Sequence, residues 1–479
     1  MRRLALALAA LALAAPSTAS AFSKTDLTIR MSDGVAIAAT FYVPDGAPGP
    51  PSRRWPTVLM LHGLGESRTT TGNALGMSIN SIAETELVPQ GYAVLTFDAR
   101  GHGDSGGLVS IDGPREIQDV RELVDWLRSQ ASVNPDRIGA FGYSYGGGAV
   151  WRATAGGVPF AAIEVAATWT DLYAALAPQD LARSGVILGF WQSIAARAAP
   201  EVEPIVRDVL EGRNLGAVRA FAAQRSTRRL LGRIKVPTFL LQGRRDFAFD
   251  LGQAFGPFAR LKVPKRLYIG DFGHPPSPLP PGELEHVLPE ARLWFDRFLK
   301  GLPNGIDKRP RVELAPDPWT GRTFSYRALP ARRTLSLGFA GTGTMIGYRE
   351  KVARTGPRLR RRLETFGAPV LRVSLASSTG WPHVVAVLSA LTPQGKEVVV
   401  SAGGARTRLT RSPERVTIHM INQATAVPRR SRLRLTIAAT STAQSPGNLL
   451  YLSSVPQSAQ LTVRFARITL PVLVRPISR

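Results

Sequence analysis

The chain is 479 residues long, 44% hydrophobic, free of cysteine, and carries a formal net charge of +25. Its length exceeds one ordinary domain and predicts two. With no cysteine there are no disulfide staples and no lipid-modified N-terminal cysteine, so stability has to come from buried apolar cores.

Met1-Arg2-Arg3, an almost pure Leu/Ala run over 4–15 and the small residues Ala19-Ser20-Ala21 read as a cleavable secretory signal over residues 1–21. The apolar run is too short to span a bilayer, and no later segment has the length and apolarity of a membrane span. The expected location is therefore secreted, outside the cytoplasm. Further on, the apolar run Thr57–Leu61 ends in His62-Gly63-Leu64-Gly65, and Ala93–Phe97 ends in Asp98-Ala-Arg-Gly-His102-Gly-Asp-Ser105. Glu116–Ser129 has a helical pattern, and Asp136–Phe141 is a short buried strand. Phe160–Val165, Thr238–Gln242 and Arg266–Ile269 continue the strand series. Continuous apolar runs alternating with helices predict an α/β fold whose parallel sheet is covered on both faces. In such sheets reactive groups collect on loops at the carboxyl ends of the strands.

The stretch Gly142-Tyr143-Ser144-Tyr145-Gly146 lies between the strand 136–141 and an apolar helix that opens at Gly147-Gly148. A serine at such a strand-to-helix corner is held on a strained turn with its hydroxyl projecting, and flanking glycines relieve the crowding. Asp246 follows the strand 238–242, and His274 follows the strand 266–269. The order Ser, Asp, His, each just past a strand end, is the order of an α/β-hydrolase triad. In that reading Ser144 is the nucleophile, His274 accepts its proton and Asp246 fixes the imidazole. The backbone N–H groups of Tyr145 and Leu64 form the oxyanion hole. His286, at the start of a helix, is the second choice for the base. Asp250, expected inside the next helix, is the second choice for the acid. Asp98 and His102 are read as shaping their loop, and His62 as propping the oxyanion turn. No metal-ligand cluster, Walker-type loop or dinucleotide fingerprint is present in the sequence, and no cofactor is implied.

Residues 168–235 interrupt the alternation with helical segments and read as a cap over the active site. Its Trp169, Phe190 and Trp191 would line an acyl or side-chain pocket. The helix Pro289–Gly301 closes the catalytic region at about 303. From 304 to 479 short β-rich runs, beginning with Arg311–Ala315 and separated by turns, predict an all-β sandwich. This part holds 28 Lys and Arg against 7 Asp and Glu, whereas residues 1–303 hold 32 against 28. The excess predicts at most a weak electrostatic association with an anionic cell envelope; nucleic acid does not suit an exported protein.

Gly-Tyr-Ser144-Tyr-Gly-Gly, together with Trp294-Phe-Asp-Arg-Phe-Leu-Lys-Gly301 and the β-rich tail, resembles the Xaa-Pro dipeptidyl-peptidase-like hydrolases, which include cocaine-esterase-like enzymes. The resemblance implies an α/β-hydrolase sheet with a helical cap over 22–303 and a C-terminal jelly-roll-like sandwich over 304–479. It carries the triad onto Ser144, Asp246 and His274. Family members commonly have a tyrosine after the strand equivalent to 57–61, where this chain has His62-Gly63-Leu64-Gly65, so a backbone donor must serve. Release of Xaa-Pro dipeptides is the activity the resemblance implies, with small-ester hydrolysis as the alternative. The substrate is then a small ester or a peptide. A dipeptidyl-peptidase also needs a carboxylate for the substrate's free amine, for which Asp171, Asp180 and Glu201 of the cap are candidates. A reading of another class is a basic cell-envelope binding protein.

Overall fold

The computed structural model describes residues 22–46, 54–71, 76–275, 277 and 279–478; the signal read over 1–21 lies outside them. A ten-stranded sheet organises the first two thirds of the chain. Its strands are β1 (Phe22–Arg30), β2 (Ala36–Pro44), β3 (Trp55–Leu61), β4 (Ala93–Phe97), β5 (Val133–Tyr143), β6 (Ala162–Ala166), β7 (Thr238–Gly243), β8 (Lys265–Gly270), β9 (Val312–Leu314) and β10 (Phe324–Tyr326). They are ordered β1-β2-β4-β3-β5-β6-β7-β8-β9-β10. From β4 to β9 all neighbours are parallel, and an antiparallel strand or hairpin closes each edge.

Successive strand residues point to opposite faces, so each apolar run feeds two cores. Leu59 and Leu61 of β3 pack with one face's helices, while Val58 and Met60 serve the other. The helices are α1 (Ile79–Ile82), α2 (Pro114–Ser129), α3 (Tyr145–Ala155), α4 (Leu172–Leu176), α5 (Ser184–Ile194), α6 (Val202–Glu211), α7 (Leu215–Gln224), α8 (Gly252–Arg260) and α9 (Pro281–Phe298). Helices α2, α3 and α8 cover the first face, through residues such as Leu123, Val150 and Phe258. Helices α1 and α9 cover the second, through Ile79 and the fully buried Trp294. Between β6 and β7 the chain leaves the sheet to build a cap from α4 to α7.

The tail is an all-antiparallel pair of sheets. Its strands are β11 (Arg332–Phe339), β12 (Gly343–Ile346), β13 (Lys351–Arg358), β14 (Leu363–Glu364), β15 (Val370–Ala376), β16 (His383–Leu391), β17 (Glu397–Arg406), β18 (Glu414–His419), β19 (Ala426–Val427), β20 (Arg432–Ala438) and β21 (Gln460–Leu473). One sheet runs β11-β21-β15-β18 with β12 added to β21, the other β13-β20-β16-β17. Their inward residues, among them Leu371, Leu388, Leu435 and Ile468, form one core. Among the described residues no helix is long and apolar enough to cross a membrane.

Three boundaries differ from the sequence reading. The run at 311–315 is not the first strand of the sandwich: as β9 it pairs in parallel with β8, and β10 pairs with β9, so the sandwich begins at β11. A local reason is that Glu313 on β9 meets Arg266 on β8 at 2.8 Å, a cross-strand pair that no local pattern announces. The closing helix begins at Pro281, eight residues before Pro289, because proline is tolerated at a first turn where its missing N–H has no intrahelical partner. Asp250 precedes α8 instead of lying inside it, and accepts a hydrogen bond from the Gly252 N–H at 2.8 Å.

Candidate active site

Ser144 follows β5 and caps α3 with φ 52° and ψ −112°, a strained backbone for a residue with a side chain. The corner is fixed by hydrogen bonds from the Ser144 N–H to the Ala166 carbonyl (2.8 Å) and from the Gly146 N–H to the His62 carbonyl (2.9 Å). A Cβ on Gly146 would lie 2.4 Å from the Leu61 carbonyl oxygen, so the helix can come this close to β3 only without a side chain there. The turn thereby projects the Ser144 hydroxyl beyond the carboxyl edge of the sheet.

The loops after β7 and β8 meet at this hydroxyl. Ser144 Oγ lies 2.8 Å from His274 Nε2, and His274 Nδ1 lies 2.9 Å from Asp246 Oδ2. Asp246 is fully buried, while a small part of the His274 side chain stays exposed. The Asp246 carboxylate accepts further hydrogen bonds from the backbone N–H groups of Ala248 and Phe249, each 2.9 Å from Oδ1, and of His274, 3.1 Å from Oδ2. It is therefore held in one orientation by four donors. Gly273, at φ +116°, permits this approach, since a Cβ there would stand 2.6 Å from Asp246 Oδ2. Three aromatic rings surround the imidazole: Tyr143 is stacked at 6.0 Å, and Phe249 and Phe190 stand edge-on at 5.0 and 5.7 Å. Sequence pattern does not mark Phe249 as part of the site; its place three residues past Asp246 is the one signal it offers.

Tyr145 is the first residue of α3, where an N–H has no intrahelical acceptor, and Leu64 lies beside Ser144 in the wall of the same cavity. The remaining expected positions are structural. His62 donates from Nδ1 to the Gly63 carbonyl (2.7 Å) and accepts the Ala99 N–H at Nε2 (2.9 Å), so it bridges the turn after β3 to the loop after β4. Burial lowers its pKa to about 4, and burial lowers that of the neighbouring His102 to about 3, so both stay neutral. Asp98 binds Arg68 and the Asp104 N–H. His286 lies in α9 against Glu313, away from Ser144. Asp250 pairs with Arg183 of the cap at 3.3 Å.

Behind Tyr145 lies a buried acidic group that the sequence did not reveal. The Tyr145 hydroxyl donates to Glu116, whose carboxylate also accepts the Asp112 N–H at 2.7 Å. Burial pushes the Glu116 carboxyl up. Burial, and then Glu116, push Asp112 well above the usual carboxylate range. A neutral Asp112 fits carboxyl oxygens that have no hydrogen-bond partner among the described residues.

Two spaces flank the relay, one lined by Ser144 and the other by His274. A cavity of about 110 Å³ runs from Ser144 and Tyr145 into the cap, walled by Leu64, Trp169, Phe190, Trp191, Val206 and Phe221 among others. Its polar tips are turned away: Trp169 Nε1 donates to the Arg225 carbonyl (2.8 Å) and the Tyr173 hydroxyl to Asp180 (2.8 Å). Among the described residues no acid lines it. Asp171 caps α4 and pairs with Arg228, Asp180 pairs with Arg219, and Glu201 is exposed before α6. None of these three carboxylates reaches the cavity as the amine-binding role requires, because each is drawn outward to a cap arginine or to solvent. On the other side of His274 a wider cleft of about 740 Å³ lies between α5 and the sandwich, bordered by Arg245, Glu397, Asn448 and Leu450.

The family model of the X-Pro dipeptidyl-peptidases (S15 family) matches residues 33–275, just over half of the chain and the segment that carries the hydrogen-bonded relay. The chain belongs to that family. Among S15-type relatives, a putative Xaa-Pro dipeptidyl-peptidase of Streptomyces avermitilis is 26% identical over 371 residues, covering 70% of this chain and 52% of that protein. Another putative Xaa-Pro dipeptidyl-peptidase, from Bacillus anthracis, is 23% identical over 256 residues, 47% of this chain and 41% of the other. The chain thus spans about half the length of the curated relatives it matches. A CocE/NonD family hydrolase from Staphylococcus aureus superposes with a TM-score of 0.72 at 16% identity, over 94% of both chains. An α-amino acid ester hydrolase superposes with a TM-score of 0.69 at 16% identity, over 96% of this chain and 98% of that one. These two likenesses establish the fold of the S15 chain over both regions: an α/β-hydrolase sheet followed by a β-sandwich.

Proposed function

We propose that this chain is a serine hydrolase that forms an acyl-enzyme on Ser144 and prefers substrates with an apolar acyl group. The supporting observation is the cavity beside Ser144, which is walled by carbon and has no carboxylate. In this reading Ser144 Oγ attacks the carbonyl carbon while its proton passes to His274 Nε2, and Asp246 stabilises the resulting imidazolium. The N–H groups of Tyr145 and Leu64 receive the oxyanion; each such donor contributes about 3–4 kcal/mol to rate. The C–O or C–N bond then breaks as His274 returns the proton to the leaving group. A water, deprotonated by the same imidazole, releases the acid and restores Ser144. The wide cleft beyond His274 is the natural exit for the leaving group.

Xaa-Pro dipeptide release, the activity in the names of the relatives, is the second reading, favoured by the family match. It needs a site for a substrate ammonium, and burying an unpaired cation in a carbon-walled cavity is strongly unfavourable. Turnover of p-nitrophenyl esters from acetate to octanoate, beside that of Xaa-Pro p-nitroanilides, separates the two. Ester kcat/KM should rise about 3–4-fold per methylene until the cavity fills, as expected for about 0.8 kcal/mol per buried CH₂. Faster cleavage of the free-amine anilides would overturn the preference. We also propose export, with cleavage after Ala21. N-terminal sequencing of the mature protein should then begin at Phe22, and an intact Met1 on protein recovered outside the cell would refute it.

A further inference from the structure

The sandwich gathers arginines at one end in a way that its core does not require. The strand end Arg358 and the segment Arg360–Arg362 lie against the turn Pro428–Arg432, forming a cleft of about 600 Å³ lined by Arg360, Arg361, Arg362, Pro428 and Arg429. The two segments are zipped together by backbone hydrogen bonds. The Leu359 N–H donates to the Ser431 carbonyl (2.9 Å) and the Arg430 N–H to the Leu359 carbonyl (3.0 Å). Arg362 Nη2 reaches the Pro476 carbonyl at 3.5 Å, which brings the exposed Arg475 to the same end.

Three features set this cleft apart from a solvated charged face. Arg358 and Arg432 stand directly opposite each other in the β13–β20 register, a like-charge pairing that opposes the fold. Arg430 is held at φ 69°, an unfavourable backbone for a residue with a side chain. The segments that build the end, 351–363, 426–434 and 471–478, contain no acidic residue. The next acid along the chain, Glu364, is fully buried against Arg244. Exposed arginine side chains are thus carried side by side on a hydrogen-bonded backbone, with nothing supplied by these segments to neutralise them.

We propose that this cleft binds a flexible anionic polymer whose phosphodiester groups recur along the chain, of the polyol-phosphate type. Planar guanidinium forks pair with phosphate oxygens two at a time, and fixed backbones lower the ordering entropy of binding. The same segments hold no aromatic residue, the side chain that interfacial membrane helices and single-stranded nucleic-acid sites use to insert or stack. The proposal stands apart from the reading of the active site.

The test is binding of fluorescent poly(glycerol phosphate) to the full chain between 50 and 200 mM salt, with phosphatidylglycerol vesicles and duplex DNA at matched phosphate concentration. The triple variant R360Q/R361Q/R429Q should weaken polymer binding about 10-fold or more and lower the slope of log K against log salt by about 2. R408Q/R411Q/R415Q removes the same charge from the exposed loop before β18 and the start of that strand, and should leave binding within about twofold. The single variant R361Q, with a slope change of about 0.7, gives the same reading should the triple variant fail to fold. Equal losses in both triple variants, absence of polymer binding at 50 mM salt, or preference for vesicles or DNA would each overturn the proposal.

Discussion

The body and the sandwich treat charge in opposite ways. In the body, acids and arginines are nearly balanced and are consumed in partly buried networks. Arg100 binds Asp119 and Asp33, and Arg266 binds Glu313 and Glu290. In the sandwich, from β11 onward, 21 arginines stand against 4 acids, and a group of them gathers on the surface. The body's charges therefore fix loops, whereas many of the sandwich's arginines face solvent. The exception joins the two regions. Arg244, two residues before Asp246, is fully buried against Glu364 of β14 and donates to the carbonyls of Ala315 and Ala424. Burial alone would raise the Glu364 carboxyl, and Arg244 with the Ser478 N–H and hydroxyl holds it below its ordinary range. Further hydrogen bonds, from the Ala424 N–H to the Arg244 carbonyl (2.9 Å) and from the Asn422 N–H to Asp250 (3.2 Å), tie the Asp246 loop to the sandwich. The loop that carries the acid is thus clamped from outside its own domain.

That contrast can be broken at several points. The largest effect belongs to the relay: H274A should lower kcat by about 10⁴–10⁶ while the protein stays folded by circular dichroism. A loss below about 100-fold in steady-state kinetics would remove His274 from the chemistry. Next is the clamp. R244A leaves Glu364 buried and unpaired and should cost about 3–5 kcal/mol in urea unfolding, whereas the paired variant R244M/E364M should recover most of it. Turnover that stays depressed in the paired variant would show that the clamp positions Asp246 beyond holding the domains together.

A pH-dependent effect follows from Glu283, whose carboxyl burial raises to about 7 and which accepts the Tyr268 hydroxyl (2.9 Å) and the Asp271 N–H (2.9 Å) behind the His274 loop. Its folded form binds a proton more tightly than its unfolded form. This group's contribution to stability is therefore fully present below about pH 4.5 and is lost as pH rises towards 7. E283Q should gain about 2–3 kcal/mol relative to the wild type between pH 4.5 and 8, read from chemical denaturation at each pH; a pH-independent difference would contradict it. The smallest effect is in the cavity wall. W191A should reduce the gain in kcat/KM per added acyl methylene from about 3–4-fold to about 2-fold, and an unchanged slope would place the acyl chain elsewhere.

Much of the body was legible because its information is local. The run Ala93–Phe97 is strand β4 with the same ends, and Ser144, Asp246 and His274 each follow a strand. The cap could be located because it breaks the alternation of strand and helix. What the sequence did not reveal depends on distant partners. Val312–Leu314 has three residues, too few for its alternation to say which sheet it joins, and only β8 beside it assigns it to the large sheet. Arg244 and Glu364 lie 120 positions apart with no pattern linking them. The acids behind Tyr145 looked like part of an ordinary helix start, since Glu116 sits in the first turn of α2, where a carboxylate is common. The cap acids were visible as residues, but which way each faces depends on arginines elsewhere in the cap.

The central claim is that Ser144 is an activated nucleophile because His274 and Asp246 stand behind it. Reaction of the folded protein with a fluorophosphonate, followed by mapping of the adduct by mass spectrometry, tests it most directly. One stoichiometric adduct is expected on the Ser144 hydroxyl, absent in S144A and formed at least 100-fold more slowly in H274A. Folded protein that acquires no adduct, or acquires it on another residue at the same rate in both variants, would contradict the account.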